Sequence, residues 1–325
     1  MEKANKNKIK RIAVLTSGGD APGMNAAIRA VVRCGLDAGL DVYGIYDGYL
    51  GMYEGKIERM TRKSVSEKLD RGGTFLGTAR LKEFANEEVR KAAIENLTEY
   101  GIQGLVAIGG DGTYRGALAL AKMGIKVVSI PGTIDNDIAG TDFTVGFDTA
   151  VNTAVDAVDK LRDTSSSHHR CSVVEVMGRN CGDIAVWTGL AVGAEVVISK
   201  ETGYNEEEVL ATIRRASLVK KHAIVIVAEN LVDVNHLAKT ITENTQFAAR
   251  ATILGHIQRG GTPTARDRVL ASLMGVKAVN ELIDGKSGVC ICHRNGKIVA
   301  LPIEEALAST DERILEKYEA FKKLF

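Results

Sequence analysis

Residues Leu105 to Thr113 read LVAIGGDGT. Four apolar residues in succession, with no polar alternation, predict a short strand covered on both faces. The glycines after Ile108 end that strand, and the residues beyond them open a helical pattern. The unit is therefore strand, tight turn, helix. Repeated along a chain, such units build parallel sheets with right-handed crossovers.

The unit does recur. Predicted strands lie at Arg11–Leu15, Asp41–Tyr46, Leu105–Ile108, Val127–Ile130, Ser172–Val176, Glu195–Ile198, Ala223–Val227, Ala251–Leu254 and Val289–Cys292. Helical patterns include Asn25–Gly39, where Ile28, Val31, Val32 and Leu36 form one apolar stripe, and Glu87–Tyr100, Thr149–Asp163, Glu206–Ala216 and Arg266–Asp284. The hydroxyl run Thr164-Ser165-Ser166-Ser167 falls between a helix and a strand and is expected to be a loop. The fold class is α/β, with two sheets in two lobes expected over one wide sheet.

Composition narrows the function. A chain of 325 residues can bury a sizeable core as one large domain or two medium ones. Forty-two basic against 41 acidic side chains leave a net charge of +1, so no nucleic-acid partner is expected and any anion must be met by local clusters. The Met1–Lys6 start carries no apolar signal core and no window approaches a membrane span, so a cytoplasmic protein without membrane contact is expected. Cys34, Cys171, Cys181, Cys290 and Cys292 have neither disulfide nor zinc spacing, and Cys290-Ile291-Cys292 reads as a pair of buried thiols.

Three turns follow predicted strands, and in open parallel sheets ligands bind beyond the carboxyl ends of the strands. The first, Thr16–Asn25, has Gly18 and Gly23 at P-loop spacing, but Met24-Asn25 stands where Lys-Ser/Thr would be needed. It is either a phosphate-binding turn or a plain strand-to-helix bend. The second, Ile108–Thr113, brings glycines to a helix start. Asp111 there can hold Mg²⁺ beside phosphate oxygens, or simply complement the helix dipole. The third is PGTIDND, Pro131–Asp137, in which Thr133, Asp135 and Asp137 alternate and would share one side of an extended chain. One aspartate could take a proton from a hydroxyl that attacks phosphorus. Arg80, Arg179 and Arg259, each in or beside a glycine-containing segment, could carry the phosphate charge. Singly, each also reads as a solvated surface arginine.

Taken in order, LTSGGDAPGMNAAIRA, RGGTFLGTARLKEF, IGGDGTY, PGTIDNDIAGTD, DTSSSHHR, VEVMGR and LGHIQRGGTP resemble the bacterial-type ATP-dependent 6-phosphofructokinase family over nearly the whole chain. The resemblance implies transfer of the ATP γ-phosphoryl group to the 1-hydroxyl of fructose 6-phosphate in glycolysis. It implies an ATP-binding lobe of residues 1–145 plus 259–305, and a sugar-phosphate and effector lobe of residues 146–258 plus 306–325. By the same resemblance Asp135 is the base, Asp111 the Mg²⁺ ligand, and Gly19, Arg80, Leu81, Gly110, Asp111, Gly112 and Thr113 line ATP. Thr133, Met177, Gly178, Arg179, Glu229, His256 and Arg259 would contact the sugar phosphate, with Arg179 also steadying the transition state. Arg170 and Arg250 would reach the sugar phosphate of a neighbouring subunit in a homotetramer.

The family also implies an effector site for ADP or phosphoenolpyruvate. Matching positions are Arg29, Arg33, Arg62, Arg162, Gly193, Glu195, Lys220, Lys221 and His222. The segment ending in Lys220-Lys221 is one residue short of the family pattern and lacks one effector lysine, which bears on effector choice. His169 replaces an expected Gln or Glu. Histidine changes charge in the physiological range, so pH-sensitive regulation is expected there. Within the family, pyrophosphate-dependent members carry Asp and Lys where this chain has Gly112 and Gly132; glycine at both is expected to leave the ATP α-phosphate its space. Lipid and NAD kinases share a GGDGT-like turn without the other motifs, and a nucleotide sensor without turnover would not need both Asp111 and Asp135.

Overall fold

Strands and helices alternate along almost the whole chain of this computed structural model, which describes residues 9–308 and 313–324. The charged start before residue 9, and residues 309–312 and 325 of the expected second lobe, lie outside the described residues. The order is β1 (Arg11–Ser17), α1 (Met24–Asp37), β2 (Asp41–Ile45), α2 (Gly48–Glu54), β3 (Ile57–Arg59), α3 (Glu87–Glu99), β4 (Gly104–Gly109), α4 (Asp111–Lys122) and β5 (Lys126–Pro131). Next come α5 (Phe147–His168), β6 (Arg170–Val176), α6 (Asp183–Val192), β7 (Val196–Ile198), α7 (Glu206–Val219), β8 (Ala223–Ala228), α8 (Val234–Asn244) and β9 (Ala248–Ile253). The last elements are α9 (Ala265–Ile283), β10 (Val289–Arg294), β11 (Lys297–Pro302), α10 (Ile303–Ala308) and α11 (Arg313–Lys322).

The chain forms two compact units. The first runs to Ile134, resumes over Ile138–Asp148 and returns at Arg259. Its seven-stranded sheet has the order β11-β10-β5-β4-β1-β2-β3. The β10-β5-β4-β1-β2 pairings are all parallel, and only the edge strands β3 and β11 pair antiparallel. Alternate residues serve opposite faces. Ala13, Leu15, Leu105, Ala107 and Val127 join one fully buried cluster with Tyr114, Leu97 and Met52, while Ile12 faces α1 beside Gly35. On that second face α1 packs against α9 closely enough that a Cβ at Gly275 would lie 2.6 Å from the Ala30 Cβ. Burial on both faces is why these strands read as unbroken apolar runs.

The second unit holds Asp135–Asp137, Thr149–Gln258 and helix α11. Its four strands, in the order β7-β8-β6-β9, are all parallel. Asn205 caps α7 by accepting from the N–H groups of Glu207 and Glu208, and Asp233 caps α8 in the same way at Asn235 and His236.

Two local expectations need correction, and the reading of Cys290 and Cys292 as buried thiols holds. The hydroxyl run Thr164–Ser167 is not a loop: α5 continues through it to His168. Its side chains find partners that a helix permits. Ser167 Oγ donates to Asp163 O (3.0 Å), Ser165 Oγ meets Ser172 Oγ (2.7 Å), and Ser166 Oγ meets His222 Nδ1 (2.8 Å). The helix ends where His169 takes a left-handed backbone, φ 51°. Strand β9 starts at Ala248, earlier than expected, because exposed Arg250 interrupts the apolar run of an edge strand. The thiols of Cys290 and Cys292 lie 3.6 Å apart, both fully buried, with Cys290 raised well above the usual thiol range by its contact with Cys292 and by burial.

Candidate active site

In the first unit, the turns after β1, β4 and β5 leave the same edge of the sheet, because these strands are parallel neighbours. Gly18 (φ 87°) and Gly23 (φ 105°) let the first turn reverse tightly, and Gly23 begins α1. The turns are bound to each other. Thr113 Oγ1, in the first turn of α4, donates to Ser17 O (2.9 Å), and Thr78 Oγ1 donates to Gly18 O (2.7 Å). Arg259 Nη1 donates to Asp20 O (3.2 Å) and lies so close to Gly19 that a Cβ there would sit 2.5 Å from it. Gly110 faces Thr133, whose Cβ would be 3.5 Å from an added methyl. Gly19, Gly110, Thr113, Thr133 and Arg259 are thus brought together. Arg80 is exposed just beyond Thr78, and Leu81 packs on the core cluster.

Asp111 opens α4, whose N-cap Gly110 has no side chain to offer the first N–H groups. An anion placed there would meet those N–H groups and the positive end of the dipole. The Asp111 carboxylate is itself clasped by Arg115, with Nε and Nη2 donating at 3.0 and 3.1 Å, which raises the arginine pKa.

Where the chain enters the second unit at Asp135, the expected alternation of Thr133, Asp135 and Asp137 is corrected at one residue, Asn136. Asn136 has φ 51°, so the turn is not extended and the two aspartates do not share a side by strand geometry. Asp135 is 5% exposed. Asp137 Oδ2 lies 3.7 Å from Arg179 Nη1. Arg179 is also left-handed, φ 58°, a costly conformation that the fold fixes through Glu229. Glu229 Oε1 accepts from Arg179 N (2.7 Å) and Gly178 N (3.2 Å), and Gln258 Oε1 accepts from Met177 N (2.8 Å). At the end of β6, burial and then the charges of Glu229 and Asp233 hold the Glu175 carboxyl above its usual range. His256 is exposed in the short turn after β9. Arg170 and Arg250 stand elsewhere: Arg170 starts β6, at the end opposite Met177–Arg179, and Arg250 pairs in register with Ser172.

The sequence matches the Phosphofructokinase family over residues 11–282. The chain belongs to the phosphofructokinase family. It is 55% identical over 319 residues to the ATP-dependent 6-phosphofructokinase of Photobacterium profundum, covering 98% of this chain and all of that one. The protein of the same name from Tolumonas auensis is 54% identical over 319 residues, with the same coverage. Among solved structures, a phosphofructokinase chain from Saccharomyces cerevisiae superposes with a TM-score of 0.90 at 35% identity over 96% of this chain, which spans 50% of that longer chain.

Against the family pattern, the two donor-related glycines differ. A Cβ at Gly112 would meet nothing within 4 Å, whereas one at Gly132 would lie 2.9 Å from Ile108 Cγ2 and 3.1 Å from Met24 Cε. The expectation of open space at both is therefore corrected: Gly112 leaves room, and Gly132 is demanded by packing.

The effector-matching residues divide between the units. In the first, Arg29 and Arg33 sit one turn apart on α1; burial and then the Arg33 charge hold the Arg29 guanidinium below its usual pKa, and Arg33 Nε is buried without a hydrogen-bond acceptor. Arg62 pairs with Asp37 (3.3 Å). In the second unit, Lys220 Nζ donates to Glu195 Oε1 (2.7 Å), whose Oε2 accepts from Ile224 N (2.6 Å). Arg162 donates to Val192 O, Gly193 ends α6 in a left-handed turn, and His222 is lowered by burial despite Glu195 nearby. Lys221 is exposed.

Sequence reasoning missed the residues that fasten these turns. Asn25 is one: its Nδ2 donates to Arg71 O (3.1 Å) and its Oδ1 accepts from Phe75 N (2.9 Å), tying α1 to the segment before Gly77. Gln258 and Asn136 are others. All three lie inside the motifs quoted above, but only their partners, distant in sequence, reveal what they do.

Proposed function

We propose that this chain transfers the γ-phosphoryl group of ATP to the 1-hydroxyl of fructose 6-phosphate, giving fructose 1,6-bisphosphate and ADP. One observation carries the reading: three glycine-containing turns, one opening α4 with Asp111 and one leading into Asp135, follow neighbouring parallel strands at one sheet edge. The full-length relatives named as ATP-dependent 6-phosphofructokinases support the donor and acceptor.

In this reading Gly19, Arg80, Leu81 and Gly110–Thr113 receive ATP, with the uncapped start of α4 meeting its phosphates. Thr133, Met177–Arg179, Glu229, His256 and Arg259 hold the sugar phosphate, with Arg170 and Arg250 completing the site of a neighbouring subunit in a homotetramer. Asp135 accepts the hydroxyl proton as the sugar oxygen forms its bond to the γ-phosphorus and the bond to the β–γ bridging oxygen breaks. Arg179 offsets charge on the transferring group.

A divalent ion fits the donor set. Asp111 offers hard carboxylate oxygens at a partly exposed helix start, and Mg²⁺ prefers one or two carboxylates plus substrate phosphates and water. Among the described residues no group of three or more His, Cys, Asp or Glu forms a protein-only cage. Arg115, 66% exposed, can release Asp111 to the ion. Bound there, Mg²⁺ would neutralise charge on the phosphates.

ADP or phosphoenolpyruvate is the proposed effector. The mutual repulsion of Arg29 and Arg33 is relieved by an anion, and the altered Lys220 segment tunes which one. No described helix is long and apolar enough to cross a membrane, and a cytoplasmic glycolytic role follows from the reaction. The test is a coupled assay of fructose 1,6-bisphosphate formation with ATP or pyrophosphate as donor. Product with ATP is expected; product with pyrophosphate alone would overturn the reading.

A further inference from the structure

The turn that carries Asp135 is held by a line of contacts that ends on the C-terminal helix. Asn136 Nδ2 donates to Asp183 Oδ2 at 2.6 Å, and Lys317 Nζ donates to Asp183 Oδ1 at 3.0 Å. Asp183 is 1% exposed and sits in the first turn of α6. Each of its oxygens is taken by a different partner, one from the turn and one from α11. Lys317 also lies over Trp187, 5.6 Å from the ring centroid, so its stem is steadied against α6. The segment leading into α6 touches the turn twice more: Arg179 at Asp137, and the Cys181 thiol at Asn136 O (3.9 Å). Glu201 in turn holds Gly182 through its backbone N–H (3.2 Å).

This arrangement costs free energy and must repay it. A carboxylate removed from water is tolerated only when it is paired and hydrogen-bonded. Asparagine adopts the left-handed backbone readily, and here its side chain is fixed to Asp183. Nothing in the chemistry of phosphoryl transfer requires a lysine on the last helix. What these contacts hold is the side chain of Asn136, the immediate neighbour of Asp135.

Resting on the phosphofructokinase reading, we propose that Lys317 and Asp183 are positioning residues for the base Asp135, acting through Asn136, so that helix α11 is a strut for the catalytic turn. Neither touches substrate. Their removal loosens the turn and lowers the fraction of enzyme with the base aimed at the hydroxyl.

The variants are Lys317→Met, which keeps the stem and removes the charge, and Lys317→Arg, which keeps the charge. In the full-length protein, Lys317→Met is expected to lower kcat about 10- to 100-fold, because small misplacements of a reacting group cost that much. KM for both substrates stays within about twofold and Lys317→Arg restores most of the rate. Amide exchange in the peptide covering Asp135–Asp137 accelerates at least about 10-fold in Lys317→Met, while β6 and β8 stay protected. An unchanged kcat, or unchanged exchange in the turn, overturns the strut. A purely structural role is revealed by a lower melting temperature with full kcat in the folded enzyme, and it too overturns the proposal. Wild-type protein that transfers no phosphoryl group overturns the functional reading instead, and the exchange data alone then decide whether Lys317 holds the turn.

Discussion

Two glycines that look equivalent in the sequence should respond oppositely to the same methyl group. At Gly132 an added Cβ would lie 2.9 Å from Ile108 Cγ2 and 3.1 Å from Met24 Cε, in a stretch that is fully buried. Overpacking of this kind costs about 1–3 kcal/mol. For a domain of this size that is a fall in melting temperature of roughly 2–12 °C. At Gly112 the same Cβ meets nothing within 4 Å, and the residue lies in the first turn of α4. Alanine is the better helix former by up to about 1 kcal/mol, so Gly112→Ala should melt no lower than wild type. Its cost falls on ATP, because the methyl occupies space that the phosphates are proposed to use. A misfit methyl in a site is worth about 1–3 kcal/mol, so KM for ATP should rise about 10-fold or more, with KM for fructose 6-phosphate little changed. Thermal melts and steady-state kinetics on the two variants settle the matter. Equal melting temperatures for both, or an unaltered KM for ATP in Gly112→Ala, would refute this account of the donor site.

Two further outcomes concern stability. Glu281 is 1% exposed, and although burial pushes its pKa up, Lys277 (2.6 Å) and Lys286 (2.7 Å) outweigh that and hold it below the usual carboxylate range. A depressed folded-state pKa contributes stability above the unfolded value of about 4.3 and loses it as pH falls through the folded value. Glu281→Gln should therefore melt below wild type at neutral pH, with the gap closing below about pH 4; a gap independent of pH would contradict the pairing. His169→Gly should raise stability by about 1 kcal/mol by relieving the left-handed backbone at φ 51°, read as an upward shift in melting temperature. No shift would mean that the histidine side chain offsets the strain.

The central strands were legible because burial on both faces leaves a signature that needs no partner to interpret. Val106 and Val128 lie between covered faces, and their runs could be read in isolation. The edge strands β3 and β11 were not, since Ile57–Arg59 is three residues long and Lys297–Pro302 is largely half-exposed and antiparallel. Thr164–Ser167 misled because hydroxyl side chains signal a loop unless tertiary partners such as Ser172 and His222 absorb them. At the site, residue types announced themselves where chemistry demands glycine, carboxylate or arginine. What they could not announce was the support. Asn136 meets Asp183 across 47 residues of sequence, and Lys317 meets it across 134. No local pattern encodes such pairs, and only the fold brings them within a hydrogen bond.

The most direct measurement is a comparison of wild type with Asp135→Asn under saturating ATP and Mg²⁺, following fructose 1,6-bisphosphate. Asparagine keeps the size of the side chain and removes its ability to take a proton. The account predicts that kcat falls at least about 100-fold while KM for fructose 6-phosphate stays near the wild-type value. An Asp135→Asn enzyme that turns over at close to the wild-type rate would contradict it.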